Sequence, residues 1–284
     1  MNPPNLEHSD TSPVMSYGVL EQRVLANDTD RAAEEIAHLG YSVIDSGYSA
    51  QEISDIGRVF DAAHAKYIEL YGKDFLNKID EYNGIRLPLA IDEKFIDLAT
   101  NPRVLDLVQK LIRNKFILNQ QNGIINPPGE TYNQGLWHRD LPYQHFVSSK
   151  PLAINALYCV DDFTIENGAT FVLPGSHARE EYPSDSFVES KAKQIASPAG
   201  SFIVIHCMLF HRGGANRTSS RRRAVNHVYT TAFIKQQIDI PSALAGRTVR
   251  SAAIADLLGF RYQIPRTVAD FLESRRRPAD ALIR

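Results

Sequence analysis

The sequence predicts a mainly β protein with flanking helices, its core an antiparallel barrel or jelly roll. Three observations carry this. The middle of the chain holds short runs rich in Val, Ile, Tyr, Phe and Thr, each closed by turn residues. No helical pattern separates these runs, so the crossovers that a parallel sheet requires are missing and antiparallel pairing is expected. Helical periodicity is confined to the N-terminal part and to the last 40 residues.

Taken in order, residues 1–15 are polar and Pro-containing and are expected to form a flexible tail, with residues 16–284 as one domain. A helix begins at Asp28, carries acidic residues and alanines in its early turns and stops at Gly40. Tyr41–Asp45 alternates as a short strand. Ser49 with Glu52 forms a capping-box pattern, followed by Ile53, Ile56, Val59 and Phe60 at helical spacing up to Tyr71 and Gly72. Residues 73–100 give no clear pattern. Asn101-Pro102 starts a helix whose apolar face is Val104, Leu105, Leu107, Val108 and Ile112. Residues 116–125 read as a strand or a hairpin. Further strands are expected at Leu152–Val160, Ala169–Leu173, Phe202–Ile205 and Ala224–Phe233. Two closing helices carry Ile254, Leu257 and Leu258, then Val268, Phe271 and Leu272.

At 284 residues, with 43% hydrophobic and 23% charged residues, the composition is that of a globular protein. A formal charge of −2 argues against a nucleic-acid partner, and the triplets Arg221–Arg223 and Arg275–Arg277 are too short to reverse that. No run of about 18 apolar residues suggests a membrane span. The N-terminus lacks the charged and apolar regions of a signal peptide, so a cytoplasmic location is expected. The two cysteines, Cys159 and Cys207, sit in apolar runs and read as buried thiols. Oligomeric state leaves no trace in the sequence.

The chemistry centres on His138-Arg139-Asp140. An imidazole and a carboxylate two residues apart on an extended chain point to the same side, so one strand end offers both to a single ion. His211, after the apolar run 201–205, is the best third ligand; His206, five residues earlier, is its rival. Two His and one carboxylate, with the remaining positions open, suit a non-haem Fe(II) oxygenase. A kinase catalytic loop is excluded, because His145 stands where that loop needs Asn.

Four features follow in one order: His138-Arg139-Asp140, then Glu166-Asn167-Gly168-Ala169-Thr170, then Leu173-Pro174-Gly175-Ser176-His177, then His211 with Asn216 and a basic cluster. This order resembles the phytanoyl-CoA dioxygenase family of Fe(II)- and 2-oxoglutarate-dependent oxygenases, over roughly residues 30–235. The resemblance implies a double-stranded β-helix, a jelly-roll and cupin-like core with iron at one mouth. It implies His138, Asp140 and His211 as metal ligands and catalytic centre, and Fe(II), 2-oxoglutarate and O2 as cofactor and cosubstrates. It also places an Arg eleven residues after the distal His, here Arg222, against the far carboxylate of 2-oxoglutarate. A guanidinium fork suits that role better than an ammonium. Arg221 and Arg223 should face the other way along the strand. Some relatives carry a hydroxyl two residues after the distal His; Gly213 stands there.

The implied reaction is hydroxylation of a small molecule with release of succinate and CO2, because Asp140 occupies the position where halogenating relatives carry a small residue; desaturation and ring closure, which can use the same triad, stay open. Gln121, Asn155 and Thr170 are further expected cosubstrate contacts. As polar residues in strands, Gln121 and Asn155 either reach into the mouth or face the surface. His145, His177 and His227 read as structural, turn or pocket residues, Trp137 as packing, and Gln144 with His145 as a possible approach for substrate. The alternative is a cupin-like metal protein or isomerase without 2-oxoglutarate turnover, which has no use for Arg222. For the substrate, a polar metabolite is preferred over an acyl-CoA ester, since no basic groove is evident.

Overall fold

A computed structural model describes residues 24–130, 133–141 and 146–276. The expected tail at 1–15, the residues Gln144 and His145, and Arg277 lie outside these. Two antiparallel sheets form the core. The larger has the order β1 (Tyr41–Asp45), β7 (Ser201–His206), β4 (Ala153–Cys159), β9 (Arg222–Thr231), β3 (Phe116–Asn126) and β2 (Gly84–Arg86). The smaller has β6 (Lys193–Gln194), β5 (Phe171–Val172) and β8 (His211–Arg212). The sheets face each other as a jelly roll and do not close into one continuous barrel.

Strand parity divides the core in two. Leu157 and Cys159 of β4, Ile203 and Ile205 of β7 and Ala224 of β9 meet Val172, Ala169, Phe163 and Ile195 between the sheets. The alternate residues Ile154, Ala156, Tyr158, Phe202, Val204, Val225 and Tyr229 meet the helices on the outer face. The large sheet is therefore buried on both sides, which is why its strands read as continuous apolar runs.

The helices start and stop where the sequence predicts. Asn27 caps α1 (Asp28–Leu39) by accepting from Asp30 N, and Gly40 ends it at φ 87°. A Cβ at Gly40 would lie 2.5 Å from Leu209 and 2.7 Å from His177, so glycine is needed for space as well as for the turn. Ser49 and Glu52 form the expected capping box of α2 (Ala50–Tyr71). Asn101 caps α5 (Pro102–Ile112) through Arg103 N and Val104 N, and its amide donates to Ser46 O at 3.0 Å.

The unclear stretch 73–100 folds into pieces too short for periodicity: α3 (Lys73–Lys78), β2, a 3-10 turn at Pro88–Ala90 and α4 (Lys94–Ala99). The hairpin option at 116–125 is excluded, because β3 runs through as one strand. Asn122 and Gly123 pair with Asn226 and Val225. Gly123 is there for close packing, since a Cβ would stand 3.0 Å from Ile85 and Phe60. Three short helices follow the pattern less openly: α6 (Asp185–Lys191), α7 (Ile240–Ala243) and α8 (Ala252–Leu257). In α9 (Val268–Ser274) the expected apolar residues Val268, Phe271 and Leu272 are exposed, unlike Leu257 and Leu258. Both cysteines are buried free thiols, as expected. No helix among the described residues is long and apolar enough to cross a membrane.

Candidate metal and cosubstrate site

His138 and His211 form an antiparallel bridge, with His138 N to His211 O at 3.0 Å and His211 N to His138 O at 3.1 Å. On its other side His211 pairs with Val172 of β5. Asp140 is held by its N–H to Cys207 O at 3.1 Å. This backbone frame brings together two imidazoles and a carboxylate from distant parts of the chain. One ligand atom from each lies within 4.8 Å of the others, and His211 Nε2 stands 3.5 Å from Asp140 Oδ1.

The surroundings orient each donor. His138 Nδ1 meets Leu136 O at 2.7 Å and His211 Nδ1 meets Leu209 O at 3.0 Å. A carbonyl only accepts, so both Nδ1 atoms carry the proton and both Nε2 lone pairs are left for a metal. Asn155 Nδ2 donates to Asp140 Oδ2 at 3.0 Å, which leaves Oδ1 toward His211. Arg139, between the two ligands, points to the opposite side. It donates to the carbonyls of Ser176 at 3.0 Å, Glu180 at 3.1 Å and Arg179, and its guanidinium lies 3.9 Å over the Phe210 ring. The ligand strand is thereby pinned to the 176–180 loop.

Electrostatics match a cation site. Burial alone would raise the Asp140 carboxyl, but His211, His138 and the Asn155 hydrogen bond outweigh it and hold it at about 2. Burial, then the neighbouring His211, lowers His138. For His211, burial works downward and the adjacent carboxylate reverses it, so its titration is raised. The donor set therefore comprises an ionised carboxylate and two oriented imidazoles. The 3.5 Å separation is near the about 3 Å edge of an octahedron with bonds of about 2.1 Å, so the residues fit a divalent metal.

One pocket contains these ligands together with Arg222, Thr170, Asn155 and Gly213. Arg222 is 3% exposed, and its guanidinium lies 4.0 Å over the Phe163 ring, a contact that offsets part of the cost of burying the charge. Arg223 faces the other way, as expected, and pairs with Asp161 and with Asp61 of α2; Arg221 also pairs with Asp61.

Gln121 is the expected contact that the fold does not bring here. It lies on the helix side of β3, where its Oε1 accepts from Leu89 N at 3.0 Å and its Nε2 donates to Phe95 O at 2.7 Å. Its role is to fasten the 88–99 segment to the sheet. His206 lies apart from the ligand cluster, against His177, with Nδ1 accepting from Met208 N. His227 faces the helices, and Trp137 packs on Tyr182 and Arg212. Sequence reasoning missed Asn226, Gln134, Ile205 and Leu157 in the pocket wall. Asn226 had a signal: it stands four residues after Arg222 on the same strand, hence on the same face.

A jelly roll with a two-His, one-carboxylate cluster at its mouth defines the class of non-haem Fe(II) oxygenases. Residues 37–224, well over half of the chain, match the family described as Phytanoyl-CoA dioxygenase (PhyH), and the chain belongs to that family of Fe(II)- and 2-oxoglutarate-dependent dioxygenases. Among curated proteins it is 28% identical over 251 residues to "Uncharacterized protein Rv1501" of Mycobacterium tuberculosis, covering 86% of this chain and 91% of that one. It is 32% identical over 162 residues to "Dioxygenase olcK" of Penicillium canescens, covering 52% of each. Among solved structures, EctD from S. alaskensis with 2-oxoglutarate and 5-hydroxyectoine aligns at a TM-score of 0.60 and 20% identity, over 71% of this chain and 76% of that one. The carbocyclase SnoK from nogalamycin biosynthesis aligns at 0.54 and 21%, over 71% and 83%. These structural likenesses concern the fold.

Proposed function

We propose that this protein hydroxylates a small-molecule substrate as one catalytic domain, with His138, Asp140 and His211 holding Fe(II) and Arg222 receiving the far carboxylate of 2-oxoglutarate. The observation that carries the reading is a buried guanidinium in the same pocket as the His-Asp-His cluster. A metal site with a purely structural role has no use for it. The bound iron supplies the centre at which 2-oxoglutarate and O2 are converted to succinate, CO2 and an oxidant for a substrate C–H bond.

The chain's own residues do the positioning. Leu136 O and Leu209 O hold the imidazole rings with Nε2 inward. Asn155 takes one oxygen of Asp140 and so presents the other as a single ligand atom. Its Oδ1, in the same pocket wall, is left for the expected contact with the cosubstrate. Phe163 backs Arg222 and excludes water behind it, which strengthens a carboxylate pairing in front. Thr170, 5% exposed, offers a hydroxyl in the same wall. Asp140 fills the position that a halide would need, which favours hydroxyl transfer.

The test is succinate release from 2-oxoglutarate under air in the presence of Fe(II), compared with an Asp140→Ala variant. Iron-dependent succinate in the wild type and none in the variant is expected. Turnover that ignores the loss of Asp140 would remove the metal assignment.

A further inference from the structure

A second cavity adjoins the first, and Ile124, Gln134 and Asn226 belong to the walls of both. Its remaining wall comes largely from β2 and the turn before it: Asp80, Glu81, Asn83 and Arg86, opposite Asn122. We propose that this second cavity is the substrate subsite, and that it takes a small polar molecule presenting a hydroxyl or ammonium donor to Asn122 Oδ1. The proposal rests on the oxygenase reading above, since the first pocket must hold the metal and cosubstrate for the second to hold substrate.

Asn122 is the carrying residue. It is 6% exposed, and it shares the inward face of β3 with Ile124. Its backbone N–H donates to Asn226 Oδ1 at 2.9 Å and its Nδ2 to Gln120 Oε1 at 3.3 Å. Its Oδ1 is buried with no hydrogen-bond partner among the described residues. A buried acceptor left in that state is costly, and a ligand donor is what would satisfy it. Asn122 and Asn226 are thus connected in the wall, with Gln120 behind them, and Asn122 Oδ1 is a buried acceptor there with no partner among the described residues.

The rest of the wall narrows the class. Arg86 is engaged in a two-pronged pair with Glu81, Nε to Oε2 at 2.8 Å and a second bond from its terminal nitrogen to Oε1. Its charge is therefore spent within the wall and does not form an anion trap. Among the described residues of the wall no second cation accompanies Arg86, so nothing there pairs with a phosphate or carboxylate group, and neutral or cationic donors are left. Among the described residues, apolar lining is limited to Ile124 and the glycines Gly84 and Gly123, too little to bury an alkyl chain. A polyol or an amine fits these walls, and a fatty acyl chain does not.

The experiment uses the whole protein loaded with Fe(II) and 2-oxoglutarate without oxygen. A panel of hexoses, inositols and aliphatic polyamines is compared with octanol and octanoate. Binding is read by calorimetry and by the change that each probe makes in the visible band of the iron–2-oxoglutarate chelate. Polar probes should bind and shift the band while the octyl probes do neither; hexose against polyamine then tells a hydroxyl from an ammonium donor. Asn122→Leu should keep the chelate band and the melting temperature but weaken the polar probe at least tenfold, whereas Asn122→Asp, which keeps an acceptor, should retain it. Binding of the octyl probes alone, of no polar probe, or of a polar probe with equal strength in Asn122→Leu overturns the assignment. A protein that binds the polar probes yet gives no chelate band contradicts the oxygenase reading, and the cavity then stands as a polar ligand site and no longer as a substrate subsite.

Discussion

Asn155 touches no metal in this account, yet replacing it should weaken the metal site. Its Nδ2 lies 3.0 Å from Asp140 Oδ2, and the residue is 4% exposed. A hydrogen bond to a charged group contributes about 1.5–3 kcal/mol. Asn155→Leu keeps the branched shape and removes the donor, so the carboxylate turns more freely and loses part of what holds its pKa low. If that free energy appears in metal binding, affinity falls about 10- to 100-fold, the range typical of partners one shell beyond a metal. The assay is calorimetric titration of the metal-free protein with Zn(II), and with Fe(II) under anaerobic conditions, alongside urea denaturation without metal. The variant should lose metal affinity by more than it loses stability, because Leu157 and Ile205 already form an apolar wall there. Unchanged affinity for both metals would show that Asp140 is fixed by its backbone alone, and the positioning argument would be wrong.

Three further outcomes follow from burial and backbone. Gly168 has φ +78°, and a Cβ there would stand 2.3 Å from Gly214 O, so Gly168→Ala should cost about 2–5 kcal/mol in urea denaturation. Burial lowers His227 to about 4 and, with His177 beside it, His206 to about 3. The unfolded chain takes up protons below about pH 6.5 that these native imidazoles refuse, so stability should fall as pH drops from about 6.5 toward 4. His227 alone accounts for about 3 kcal/mol of that fall, and denaturation curves of His227→Phe across this window should show a shallower slope. Burial pushes the Cys159 thiol up to about 12 and Cys207 well above its usual value. Iodoacetamide should therefore label neither cysteine faster than the chain unfolds, and rapid native-state labelling at neutral pH would contradict the burial.

The legible parts of the site are those where one local rule decides. His138 and Asp140 alternate on an extended segment, Arg222 and Arg223 alternate on β9, and Ser49 with Glu52 completes a cap. Each required only side-chain geometry within a few residues. Gln121 shows where this stops. A bulge shifts the register of β3 between Leu118 and Gln120, so Leu118 faces the helices while Gln120, opposite Val228, faces inward. Counting by twos from Leu118 therefore puts Gln121 on the wrong face, and β3 has apolar residues on both faces, so its pattern carries no correction. The wall contributed by Asp80, Glu81 and Arg86 was illegible for another reason. A three-residue strand is shorter than any period, and its position follows from pairing with residues 122–124 far along the chain.

The most direct measurement is the affinity of 2-oxoglutarate for the Fe(II)-loaded protein without oxygen, followed through the chelate band, in wild type, Arg222→Lys and Arg222→Ala. Arg222 is buried in the metal pocket, and losing a buried partner of a charge typically costs about 2–5 kcal/mol. A chelate is expected in the wild type, an affinity lowered about 30-fold or more in Arg222→Ala, and an intermediate value in Arg222→Lys, with Fe(II) affinity unchanged in all three. A wild-type protein that binds Fe(II) tightly and forms no chelate, or an Arg222→Ala variant that binds 2-oxoglutarate as well as wild type, would contradict it.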